Sequence, residues 1–98
     1  MITVHVTVFG GMAPTPIKLI IDNLANTHDF SYSSATSFSQ NFDLPKGEYL
    51  LTVSGLNPKA AGAHTEIKVS GSFMSSPVPA SQVDTTQPFY SEAFYFEI

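Results

Sequence analysis

The sequence predicts an all-β fold, a two-layer antiparallel β-sandwich of about seven strands, as one domain spanning residues 1–98. Three observations lead there. Apolar and polar residues alternate with a period of two along most of the chain, the pattern of half-buried strands. Seven Pro and six Gly punctuate these runs, as turns do. No stretch carries a sustained 3.6-residue apolar period, which leaves a short helix over Ser81 to Thr85 or Asp22 to Asn26 with little support. Six or seven short strands must bury their apolar faces against one another, which two packed sheets achieve. A closed barrel is the alternative.

The elements follow in order. Ile2, Val4, Val6 and Val8 alternate with Thr3, His5, Thr7 and Phe9, so the first strand has a β-branched inner face and ends at Gly10-Gly11. Pro14 and Pro16 keep the next stretch extended. Ile17, Leu19 and Ile21 mark the inner face of a second strand, and Asn23 to Asp29 is polar and turn-like. Phe30 and Tyr32 form a short strand ahead of Ser33-Ser34. Thr36 to Leu44 and Glu48 to Ser54 alternate on either side of Pro45-Lys46-Gly47, and the two read as a β-hairpin. Gly55 to His64 is a flexible loop with Asn57-Pro58 at its start. Thr65 to Phe73 turns Ile67, Val69 and Phe73 inward. Ser75 to Pro88, interrupted by Pro77 and Pro79, is a long stretch without secondary structure, functional or laid flat along a sheet. The last strand, Phe89 to Ile98, puts Tyr90, Phe94, Phe96 and Ile98 on one face, with Ala93, Tyr95 and Glu97 on the other.

The run Phe42-Asp43-Leu44-Pro45-Lys46-Gly47-Glu48-Tyr49, continuing to Ser54-Gly55, resembles the signature hairpin of transthyretin-like (prealbumin-like) sandwiches, which include the carboxypeptidase regulatory-like domains. The resemblance implies a prealbumin-like topology, an immunoglobulin-like one being the other form of such a sandwich. It implies a binding, spacer or assembly module, since fold alone does not choose among these. Hydrolases of that family that open 5-hydroxyisourate carry a C-terminal Tyr-Arg-Gly-Ser. This chain reads Tyr95-Phe96-Glu97-Ile98 and has no Arg, so the enzyme is not implied.

Composition narrows the chemistry. Eight acids against four Lys give a net charge of −4, which disfavours a phosphate-backbone partner, so no nucleic acid is expected. No apolar run reaches the length of a membrane span, and no membrane insertion is expected. The absence of Cys removes disulfides, thiolate metal sites and thiol nucleophiles. Ser and Thr number 21, a composition leaning towards an exported or cell-surface module of bacterial type, present as a mature fragment, with the cytoplasm as the alternative; whether Met1 is the natural start stays open.

No catalytic residues, metal ligands or cofactors are predicted. His5, His28 and His64 are far apart in sequence, and only His28-Asp29 has an orienting neighbour. Asp22, Asp29, Asp43 and Asp84 are isolated rather than grouped as in a calcium loop. No Gly-x-Ser-x-Gly occurs, and neither Glu92 with Glu97 nor Glu48 with Glu66 is placed in a cleft by sequence. The informative residues are apolar ones on strand faces that should be wet: Phe9, Ile20, Leu50 and Tyr95. Together they would form an interface for a protein partner or for self-association. The long aromatic C-terminal strand would invite pairing if it lay at an edge. The alternative is a small carbohydrate- or ligand-binding module using the loops at 57–64 and 75–88, with Tyr90 and Tyr95 as stacking platforms for a glycan.

Overall fold

The computed structural model describes residues 1–98, in nine strands and no helix. The strands are β1 (Ile2–Phe9), β2 (Ile17–Asn23), β3 (Phe30–Ser34), β4 (Phe38–Phe42), β5 (Glu48–Leu56), β6 (His64–Gly71), β7 (Ser75–Val78), β8 (Gln82–Thr85) and β9 (Phe89–Glu97). They form two antiparallel sheets, one ordered β4-β1-β6-β8 and the other β3-β2-β5-β9-β7. The all-β sandwich is therefore as the alternation predicted.

The alternating residues build the core. Ile2, Val4 and Val6 from one sheet meet Ile17, Leu19, Ile21, Tyr49, Leu51, Val53, Phe94 and Phe96 from the other, all at most 2% exposed. Fully burying each such side chain stabilises the fold by roughly 1.5–3 kcal/mol. Aromatic contacts close the layer: Tyr49 stacks on Phe96 with centroids 5.7 Å apart, and Phe73 meets Phe96 edge-on at 5.3 Å.

Two expectations are corrected. The strands flanking Pro45-Lys46-Gly47 do not form a hairpin. β4 pairs with β1 in one sheet, while β5 lies between β2 and β9 in the other. The chain crosses the end of the sandwich at Asp43 to Gly47, with Leu44 buried beneath it. The Tyr49 hydroxyl donates to the Pro45 carbonyl at 2.7 Å, and Gly47 exchanges backbone hydrogen bonds with Ile98. Alternation specifies which side of a strand is buried but not which strand it pairs with, so both segments fit the hairpin pattern without pairing.

The stretch from Ser75 to Pro88 is not structureless. It contributes β7 to one sheet and β8 to the other, raising the strand count to nine. Both are four-residue edge strands. Pro77 and Pro79 remove backbone donors, which an edge tolerates on its open side. β7 pairs only at Ser75 with Glu97 and Val78 with Tyr95, with an irregular register between them. The same pairing takes Tyr95 to Glu97 away from the sheet edge, and Phe89 to Ala93 extends past β7.

The 57–64 loop is anchored. Asn57 is buried, and its Nδ2 donates to the Thr85 carbonyl and hydroxyl at 3.2 Å each and to the Gln87 carbonyl at 2.7 Å. Its Oδ1 accepts from the Thr65 hydroxyl, and its backbone N–H donates to the Pro88 carbonyl. One side chain thus ties the loop before β6 to the segment between β8 and β9. Gly10 lets β1 end against this loop: it adopts φ of +94°, and a Cβ there would lie 2.8 Å from Ala63.

Candidate functional site

Cross-strand register places three of the four predicted interface residues on one surface. On the outer face of the five-stranded sheet, Asp22, Leu50, Tyr95 and Val78 lie in one transverse row. The next row on that face is Ser31, Ile20, Thr52 and Ala93. Leu50 and Tyr95 are directly opposite each other and half-buried, while Ile20 is 45% and Val78 50% exposed. Directly paired positions on one face lie about 4.5–5.5 Å apart, close enough to make a continuous apolar strip.

The rim of this strip is acidic. Glu48 and Glu97 are directly opposite each other on β5 and β9, and Asp22 closes the Leu50 row. The Tyr95 hydroxyl donates to Glu48 Oε1 at 2.6 Å. That hydrogen bond to the carboxylate raises the Tyr95 phenol pKa first, followed by partial burial and the charges of Glu48 and Glu97. The bond also holds the ring across the strip.

Phe9 does not belong to the strip. It lies on β1 in the other sheet, where its ring stacks on His64 at 4.6 Å and 13°. The outer face of that sheet is otherwise polar: Thr3 donates to Asn41, His5 Nδ1 is 3.0 Å from the Ser39 hydroxyl, and Glu66 and Lys68 project from β6. The two outer faces therefore differ in kind.

Tyr90 is not a stacking platform. It is 3% exposed, packed in the core over Gly55, where a Cβ would come within 2.7 Å of its hydroxyl. Burial raises its phenol pKa, and the nearby Thr65 hydroxyl acts more weakly in the opposite sense without reaching hydrogen-bond geometry, so the Tyr90 hydroxyl has no partner. Burial pushes the Tyr49 phenol up as well.

The loops of the alternative reading do meet. Asn57, Pro58, Lys59, Gly62, Thr86 and Pro88 line a cleft of about 380 Å³ at one end of the sandwich. No aromatic ring lines it. The histidines remain apart: His5 on Ser39, His28 in the β2–β3 turn, and His64 3.9 Å from Asp84, and no three His, Asp or Glu side chains converge to hold a metal. Glu92 is on the inward-facing phase of β9 and Glu97 on the outward one, while Glu48 and Glu66 belong to different sheets.

Sequence reasoning missed Val78 and Ala93 as members of the strip. Val78 is flanked by Pro77 and Pro79, so no alternation surrounds it, and Ala93 is too small to stand out in an aromatic strand. Comparison with protein-family models, with curated proteins and with solved structures finds no match.

Proposed function

We propose that this protein is a non-catalytic interaction module that docks a protein partner on the outer face of its five-stranded sheet. The observation that carries the reading is the row Leu50–Tyr95–Val78, joined by Ile20, on a sheet whose counterpart presents a polar face. Burial of that strip would drive association. The composition, rich in Ser and Thr and without Arg or Cys, supports a bacterial surface or assembly setting. The Leu44 to Tyr49 corner, with its tyrosine over the turn, supports kinship with transthyretin-like modules.

The test is capture of a partner from extracts of the cells that make the protein, using wild type, Leu50→Lys and Thr7→Lys as baits. Leu50→Lys should lose the partner while keeping the wild-type unfolding midpoint within a few degrees. Thr7→Lys, on the polar sheet, should retain it. Equal capture by all three baits would remove the strip from the interface. A second reading rests on the cleft that Asn57 assembles from the two loops: a small-ligand or glycan site, with Lys59 and Thr86 at its mouth. A glycan array in which binding disappears on Lys59→Ala would favour it over the strip.

A further inference from the structure

The two long flanks of the sandwich are treated differently. At one flank the edges are β7 and β8, with β9 running past β7. There the chain uses the devices that discourage strand addition: very short strands, Pro77 in β7 and Pro79 just after it, Asp84 in β8, and Glu92 on the inward phase of β9. At the other flank the edges are β3 (FSYSS) and β4 (FSQNF). These ten residues include no charge and no proline. The two edges face each other through aromatic rings, half-buried Tyr32 against half-buried Phe38 at 4.9 Å and half-buried Phe30 against buried Phe42 at 6.4 Å. The flank thus combines free backbone donors and acceptors with incompletely covered aromatic area.

Charge along this flank indicates what covers it. Asp29 immediately precedes β3 and Asp43 immediately follows β4, so both acids lie at the end where Phe30 meets Phe42. At the opposite end, Lys18 is registered against Ser33. We propose that β3 pairs antiparallel with β3 of a second copy about a two-fold axis, joining two five-stranded sheets into one of ten strands. An antiparallel pair centred on Tyr32 sets Ser31 against Ser33 of the other copy and Phe30 against Ser34. It brings the Asp29 end of each chain towards the Lys18 end of its mate and keeps the acidic ends apart, whereas parallel pairing would bring them together. The contact is isologous, as closed dimers require. Five residues span about 17 Å, so the contact is smaller than the ~800 Å² per partner of a standard interface, and the dimer is weak and concentration-dependent.

Light scattering coupled to size exclusion, from about 1 µM to about 1 mM, tests the proposal. The wild-type mass should rise from one chain towards two over that range. Ser31 and Ser33 are exposed, so the double variant Ser31→Lys/Ser33→Lys should fold normally. It sets like charges opposite each other across the two-fold, and it should stay monomeric throughout. Mixing it with Ser31→Glu/Ser33→Glu should restore a two-chain mass. Leu50→Lys, on the docking strip, should dimerise as wild type does, which separates this contact from the proposed partner face. A wild-type monomer at every concentration, a dimer that survives the double Lys change, or a dimer lost in Leu50→Lys would each overturn the proposal.

Discussion

Single polar atoms of the interior have opposite values according to whether they find partners. Asn57 uses both ends of its amide, holding Thr85, Gln87 and Thr65 together under the cleft. Asn57→Ala would leave buried groups on both sides unpaired, and it should cost roughly 2–4 kcal/mol, since a buried unsatisfied group costs about 1–3 kcal/mol. Urea denaturation would read this as a lowered midpoint with an unchanged slope. Tyr90 is the reverse case, because its buried hydroxyl has no partner. Tyr90→Phe removes a desolvated donor without breaking a bond, so its midpoint should equal or exceed that of wild type. Tyr49→Phe breaks the bond to the Pro45 carbonyl and should cost about 1 kcal/mol. The three changes in one denaturation series order these interior groups by partner rather than by burial, and a destabilised Tyr90→Phe would contradict the ordering.

At the level of the strands, protection should follow position in the sheets. β5 lies between β2 and β9 along most of its length, and β1 between β4 and β6. β7 and β8 are four-residue edges. Amide hydrogen exchange should therefore show β5 and β1 opening only with global unfolding, and β7 and β8 opening far earlier by local fraying. Uniform protection across all nine strands would refute this gradient. The same contrast explains what the sequence could disclose. β1, β2, β5 and β9 are long and two-sided, so the alternation of Ile2 to Val8 or Tyr90 to Phe96 fixes their inner faces unaided. β7 and β8 are too short for a period to register, and Pro77 and Pro79 look like loop residues because an edge strand shares a loop's freedom from a second hydrogen-bonding neighbour. The site divides in the same way. Parity alone turned Ile20, Leu50 and Tyr95 outward, but parity is a property of one strand. It cannot tell that Phe9 sits on the other sheet, or that Val78 is Tyr95's neighbour, because both facts depend on long-range pairing. Tyr90 was legible as a core residue from its phase with Phe94 and Phe96, and its use as a platform conflicted with that phase.

For the molecule as a whole, the tyrosines determine how stability responds to alkali. Tyr49 and Tyr90 are buried, and burial raises both phenol pKa values above those of the unfolded chain. The folded state therefore holds these protons more tightly than the unfolded state. The neutral phenols' contribution is fully present below pH about 10, the unfolded value. Above it the unfolded chain ionises first, and stability falls as pH rises towards the folded values, by up to about 1.4 kcal/mol per pH unit for each tyrosine. Tyr90→Phe removes one of these groups and leaves Tyr49 in place. Its stability, measured by urea denaturation at intervals between pH 8 and 11.5, should match or exceed wild type up to pH about 10 and then decline less steeply. Tyr95, whose phenol pKa is raised as well, chiefly by its hydrogen bond to Glu48, acts in the same sense, so Tyr95→Phe should also lessen the alkaline decline. If Tyr90→Phe and wild type lost stability in parallel above pH 10, the Tyr90 phenol would have to be as free to ionise in the folded protein as in the unfolded chain, and its place in the core would be wrong.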